Sequence, residues 1–232
     1  MAIVLVVPDL HAPAVHPQAL NFVKSVQDYW QTTKTVFLGD NFDFHRLSFH
    51  PSEPKSDGAW REHEEAIRQL EPWYKHFRKA TYLVGNHCSM VARRAVDSGI
   101  PEEWLRPEKE LFGMPKGWDV IERYGTHRID GVAYRHGDTP PGGSFPALAH
   151  AKLNFESTVL GHYHGAFGVQ WFANRQAAVF GCQAGSLCDE QHIVQRYGRS
   201  FSKRPIMGCA VIIDGEHAIC ERMPLGSKKG NK

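Results

Sequence analysis

Five short apolar runs in this chain each end on the same kind of residue, and that repetition limits what the chain can fold into. Ile3-Val4-Leu5-Val6-Val7 runs out into Pro8-Asp9-Leu10-His11, and Thr35-Val36-Phe37-Leu38 into Gly39-Asp40-Asn41-Phe42-Asp43. Thr81-Tyr82-Leu83-Val84 meets Gly85-Asn86-His87, Val132-Ala133-Tyr134-Arg135 meets His136-Gly137-Asp138, and Thr158-Val159-Leu160 meets Gly161-His162-Tyr163-His164. Short apolar, β-branched runs of this kind, punctuated by glycine or proline, read as strands emptying into tight turns. One Gly-Asp turn is commonplace. Five turns that all deliver Asp, Asn or His are not, because independent turns would carry Ser, Lys or Glu as often. In open α/β sheets, sites form in the crevice beyond the carboxyl ends of the strands, so the five deposits are expected to converge on a metal site.

The remaining pattern alternates helix and strand in the first half and is mostly strand in the last third. Ala2 to Val7 has no polar face and is expected in the middle of a sheet. Helical spacing covers Pro17 to Trp30, with Pro17 in the first turn, then Asp57 to Lys79, Ser89 to Ser98 and Phe145 to Phe155. In the second of these, Trp60, Ala66, Ile67 and Leu70 form the expected inner face, and Pro72 is expected to break or kink it. Phe44 to Lys55, with His45, Arg46 and His50, reads as a loop near the site. Gly99 to Tyr124 has a looser pattern and reads as an insertion folded over the core. Hairpin-like pairs follow around Asp130-Gly131, Ala173-Asn174-Arg175 and Asp214-Gly215. The expected organisation is one domain over 1–224 with an accessory insertion at 99–124, and a flexible basic tail over 225–232.

Composition narrows the function classes. A chain of 232 residues with 42% hydrophobic and 11% aromatic content can bury a substantial core, which argues against global disorder. Its formal net charge of +2 gives no case for a strongly basic nucleic-acid binder. The five cysteines lack CxxC spacing, so a zinc ribbon or a secreted disulfide framework is not expected, and a reducing cytoplasm fits better. No membrane segment is expected, because the first apolar run has only a strand's length.

Taken singly, the turn motifs carry little. Asp9 and His11 flank one residue and can face one ion, but so can the residues of an ordinary surface turn. His162 and His164 can chelate one ion or reach two neighbouring ones. Asn86 offers an amide oxygen beside an imidazole, or a helix cap. Taken together and in order, Asp9-x-His11, Gly39-Asp40-x-x-Asp43, Gly85-Asn86-His87, His136-Gly137 and Gly161-His162-x-His164 resemble the calcineurin-like metallophosphoesterase superfamily, over roughly two thirds of the chain. Gly185-Ser186-Leu187 is similar to that family's closing sheet region.

The resemblance implies an α/β fold, an αββα four-layer sandwich of two mixed sheets flanked by helices. By position, Asp9, His11, Asp40 and His164 would hold one divalent ion, and Asp40, Asn86, His136 and His162 a second, with Asp40 bridging. Two cations about 3.5–4 Å apart can clamp a phosphate and lower the pKa of a bridging water, whose hydroxide attacks. Oxygen and imidazole ligands without thiolate favour manganese first, with iron, zinc, cobalt or nickel as alternatives. His87 would protonate the departing alkoxide or stabilise the charge of the phosphorane-like state. The family usually follows Asn-His with an acidic residue that orients the histidine. Cys88 stands there, so either His87 would act more as a neutral donor or another group such as His45 or Asp43 would assist, with Asp43 otherwise an outer partner of the site. Arg46 would meet a substrate phosphate, and the basic segment Arg196, Arg199, Lys203 and Arg204 would favour polyanions if it covers the cleft. The expected activity is hydrolysis of phosphate esters, with nucleotide or nucleic-acid phosphodiesters ahead of phosphomonoesters. The rival is a scaffold that keeps the fold and binds a partner through 99–124.

Overall fold

Strand β1 (Ile3–Val7) is apolar at every position because both of its faces are covered. Leu5 and Val7 point into a core shared with helices, while Val4 and Val6 point into a second core shared with another sheet. This follows from the two-residue period of a strand. The computed structural model describes residues 1–48, 58–175, 177–189, 191–192 and 204–224.

After β1 come α1 (Ala19–Trp30), β2 (Lys34–Phe37), a 3-10 turn at His45–Leu47, α2 (Ala59–His76), β3 (Lys79–Leu83) and α3 (Met90–Asp97). A second 3-10 turn (Glu102–Trp104), α4 (Glu108–Leu111), β4 (Gly117–Ile121), β5 (His127–Ile129), β6 (Val132–Arg135) and α5 (Pro146–Asn154) follow. The chain continues through β7 (Thr158–Leu160), β8 (Phe167–Ala173), β9 (Ala178–Ala184), β10 (Gly208–Ile213) and β11 (His217–Arg222).

The first sheet has the order β11-β10-β1-β2-β3-β4, with β1 to β4 parallel and β10 and β11 alternating in direction. The second has the order β5-β6-β7-β9-β8, with β6, β7 and β9 parallel and the edges antiparallel. Both sheets are mixed. Val23 and Val26 of α1, with Ala66, Leu70 and Trp73 of α2, pack on the outer face of the first sheet. On the outer face of the second, α5 packs against β7 and β9, and Gln183 Oε1 accepts the Ala147 N–H at 2.8 Å. The layering is therefore helix, sheet, sheet, helix, as the resemblance implies.

Several local expectations are revised. Helix α1 starts at Ala19, so Pro17 precedes it rather than occupying its first turn. Helix α2 runs through Pro72 and ends at His76, and Lys79 opens β3. Trp60 is 71% exposed. The buried stripe passes through Glu62, Ala66, Leu70 and Trp73. Trp60 lies two residues before Glu62, about 200° around the helix, so it faces solvent. Ile67 does pack against the core. The carboxyl half of 99–124 belongs to the first sheet rather than lying over the core: β4 pairs in parallel with β3 and forms the sheet edge. Trp118 on β4 is fully buried, its indole N–H donating to the Phe77 carbonyl at 2.6 Å. Burying a side chain of that size contributes roughly 1.5–3 kcal/mol, which anchors this edge. The readings made for His50 and Lys55, for Arg196, Arg199 and Lys203, and for the tail 225–232 lie outside the described residues. No helix among the described residues is long and apolar enough to cross a membrane.

Candidate metal centre

The parallel strands of both sheets deliver their turns to one place. In the first sheet the β1 and β2 turns are zipped together. Leu10 and His11 donate N–H groups to the Asp40 carbonyl, and Ala12 donates to that of Asn41. In the second, the Gly161 N–H donates to the His136 carbonyl at 3.0 Å. The two sheets are then joined through side chains. The Asp9 carboxylate accepts the His162 N–H on both oxygens at 3.1 Å, and the His136 ring reaches the Leu38 carbonyl at 2.8 Å, while within the first sheet the Asp40 Oδ1 accepts the His87 N–H at 2.9 Å. Ser186 Oγ and the Leu187 N–H both donate to the Asp9 carbonyl, so the Gly185-Ser186-Leu187 segment buttresses the first turn.

Two ligand groups result. Asp9, His11 and His164 bring their ligand atoms within 4.8 Å of one another, and so do Asp40, His136 and His162. In the first group, His164 Nε2 lies 3.1 Å from Asp9 Oδ2 and 3.2 Å from His11 Nε2. In the second, His136 Nε2 lies 3.1 Å from Asp40 Oδ2 and 3.0 Å from Asn86 Oδ1. Asp40 stands in the second group and not in the first. A third cluster, His11, Asp43 and His87, lies alongside. It is a hydrogen-bonding cluster, since Asp43 Oδ1 takes the Nδ1 side of His11 at 2.7 Å.

Close backbone approach explains the glycines before two of the ligands. A Cβ on Gly85 would collide with the Asp40 carboxylate, and one on Gly161 with Asp9 Oδ1. The ligands themselves are held in an uncommon backbone conformation: His11, Asp40 and His162 have φ of 52°, 45° and 60°. Left-handed φ at non-glycine residues costs of order 1–3 kcal/mol each and clusters at functional sites.

The electrostatics match a cation site. Asp9, Asp40 and Asp43 are fully buried carboxylates. Burial pushes each upward, but neighbouring histidines outweigh it and hold all three below the usual carboxylate range. Burial pulls His136 and His164 down, yet Asp40 and Asp9 respectively raise each to about 9. His11 is raised well above its ordinary value against burial, by hydrogen bonds to Asp43 and Asp9. Burial lowers His162 to about 4.

The donor set fits a divalent metal on this geometry. His11 Nε2 and His164 Nε2 face each other at 3.2 Å, a separation at which one proton can serve only one of two lone pairs. A cation serves both and releases the protons. His136 also passes its other ring nitrogen to the Leu38 carbonyl at 2.8 Å, which leaves Nε2 as the ligand atom. This order of strand-end ligands on two mixed sheets resembles the calcineurin-like metallophosphoesterases.

No family model matches the chain, and no curated protein does. Among solved structures, the chain is similar to YfcE, a phosphoesterase of E. coli, at 13% identity over 90% of this chain and 87% of that one, with a TM-score of 0.44. It is similar to the nuclease MPE of Pseudomonas putida at 12% identity over 95% and 87%, with a TM-score of 0.43. Vps29 of Entamoeba histolytica is 13% identical over 97% and 99%, with a TM-score of 0.38.

The non-ligand residues are placed as follows. His87 Nδ1 donates to the Asp43 carbonyl at 2.6 Å and lies 3.4 Å from its carboxylate. Burial lowers the His87 pKa, against the pull of Asp40 and Asp43. Asp43 therefore supplies the orientation that the sequence leaves missing at position 88. Cys88 faces away into the core: its Sγ accepts from Tyr82 Oη at 2.7 Å, and burial raises its pKa above the thiol range. It is a packed thiol, not a substitute for an acid. Arg46 is exposed on the 3-10 turn after Asp43.

Two contributors were not foreseen from the sequence. Glu62 accepts the N–H groups of His45 at 2.6 Å and Arg46 at 3.1 Å, tying α2 to the turn that follows Asp43. Its signal was an acid in phase with Ala66 and Leu70 on an apolar stripe. Cys188 hydrogen-bonds the His164 ring and Ser186 Oγ, and no pattern in the sequence marks it.

Proposed function

We propose that the chain is a divalent-metal-dependent phosphoesterase acting on phosphodiesters of nucleotide or nucleic-acid type. The observation that carries this reading is the convergence of Asp9, His11, Asp40, Asn86, His136, His162 and His164 from both sheets into two adjoining groups. Asp9, His11 and His164 would hold one ion, and Asn86, His136 and His162 the other. Asp40 stands with the second group, and this reading assigns it as the shared ligand. Manganese is the first choice, with iron, zinc, cobalt or nickel suiting the same donors. Bound there, the ions would clamp the phosphate and neutralise charge on the entering and departing oxygens.

The rest falls to the chain's own groups. His87, oriented by Asp43, is the general acid at the leaving oxygen. Burial keeps it neutral, and an approaching phosphate anion favours its protonated form. Arg46 would meet a non-bridging phosphate oxygen through its planar fork. Diesters come first in this reading, and the paired assay below separates them from monoesters. Phosphomonoesters are the second reading.

The test is hydrolysis of a chromogenic bis-aryl phosphate and of its monoester with added Mn²⁺, by wild type, Asp40→Asn and His87→Ala. Turnover of the diester that both substitutions abolish supports the reading. Absence of turnover with any divalent metal favours a non-catalytic scaffold.

A further inference from the structure

We propose that Cys182 and Cys220 are an oxidisable dithiol, a modification site whose disulfide staples the two sheets together just beneath the metal centre. The two Sγ atoms lie 3.6 Å apart, although the residues are 38 positions apart in sequence. They sit on different sheets, Cys182 on β9 and Cys220 on the edge strand β11. Cys182 is fully buried in the core between the sheets, beside Val159 and Phe180. Cys220 is half-buried, and its thiol reaches the Gln183 carbonyl at 3.5 Å.

Strand register sets this pair three residues, about 10 Å along the strands, below the candidate ligands. Cys220 pairs with Ala210, which pairs with Val6, so Cys220 is level with a residue three before Asp9. Cys182 pairs with Val159, three residues before His162. A bond between them would fix the sheet separation that the Asp9 contacts to His162 and His164 span. The other thiols are placed differently. Cys88 packs against Tyr82, Cys188 against Ser186, and Cys209 lies in the helix-side core on the other face of β10.

The oxidant is a low-molecular-weight disulfide such as oxidised glutathione. The Cys220 thiolate attacks it, forming a mixed disulfide and expelling one glutathione thiolate. Cys182, having given up its proton, attacks the Cys220 sulfur and expels the second. The protein loses two protons and two electrons, and one glutathione disulfide becomes two thiols. Cys220 suits the first step because it is the more accessible thiol, and the hydrogen bond from Cys182 lowers its pKa.

The test exposes the reduced full chain to oxidised glutathione, caps free thiols and maps the peptides without reductant. The expected result is a monomer lighter by two hydrogens, a Cys182–Cys220 linked peptide, and a thermal midpoint several degrees higher that dithiothreitol reverses, because a cross-link closing a long loop restricts the unfolded chain. Cys182→Ser should stop at a glutathione adduct on Cys220. A persistent adduct in wild type, a bond to another cysteine, a linked dimer, or no reaction would overturn the proposal.

Discussion

Replacing Asp43 by Asn tests how the two sides of the centre are coupled. Asp43 Oδ1 takes the His11 Nδ1–H at 2.7 Å, which aims His11 Nε2 at the first ligand group. Asn keeps an acceptor in the same place but removes the charge. A hydrogen bond to a charged partner contributes about 1.5–3 kcal/mol and a neutral one about 0.5–1.5, so the loss is about 1–1.5 kcal/mol. That equals roughly tenfold in affinity, the lower end of what outer-shell partners of metal-binding histidines contribute. The loss should fall on one ion only. Asp40, Asn86, His136 and His162 make no hydrogen bond to the Asp43 side chain, and His136 is oriented by the Leu38 carbonyl instead. His87 should keep its orientation, since its shortest bond is to the Asp43 main-chain carbonyl. Competition titration with a fluorescent chelator should resolve one Mn²⁺ weakened about tenfold and one unchanged. Equal weakening of both, or of neither, would refute the assignment of Asp43 to the His11 side.

Other substitutions separate packing from chemistry. Gly161→Ala drives a Cβ into Asp9 Oδ1 and to 3.1 Å from the Leu38 Cβ, so calorimetry should show about 1–3 kcal/mol of lost stability together with weakened metal binding. Cys88→Asp should not improve catalysis, because position 88 faces Tyr82 and lies near Asp40, away from His87. Its new carboxyl would be pushed up by burial, so the variant's unfolding midpoint should drop further above neutral pH than in mild acid. Burial raises Glu62 from 4.5 to about 7 in the folded chain, so between those values the fold holds one more proton than the unfolded chain. Its contribution is complete below 4.5 and lost as pH rises through 7, on the order of 3 kcal/mol in all, and Glu62→Gln should flatten that slope in denaturant titrations of chelator-treated protein.

The gathering of the candidate ligands was legible because each of them sits within a few residues of a strand end, and strand ends are written in local pattern. The two-sheet fold was implied by the resemblance that the five ordered motifs carry, while the runs and the three hairpin turns marked single strands. What stayed hidden depended on direction or distance. Asp43 and Cys88 are both turn residues, and nothing local says that one faces two histidines while the other faces Tyr82. Strand β4 was obscured because Trp118-Asp119-Val120 alternates only briefly within a stretch broken by prolines and glycines, and its partner β3 lies beyond α3 and α4. Glu62 looked like one more charge on a polar helix until the neighbouring turn was seen to offer it two N–H groups.

His11, Asp40 and His162 hold backbone angles that glycine would adopt at less cost. The molecule thus carries a built-in conflict between durability and reactivity. A library of variants screened for heat resistance alone should drift toward glycine or asparagine at these three positions, and the hardiest survivors would be the ones that no longer bind a cation.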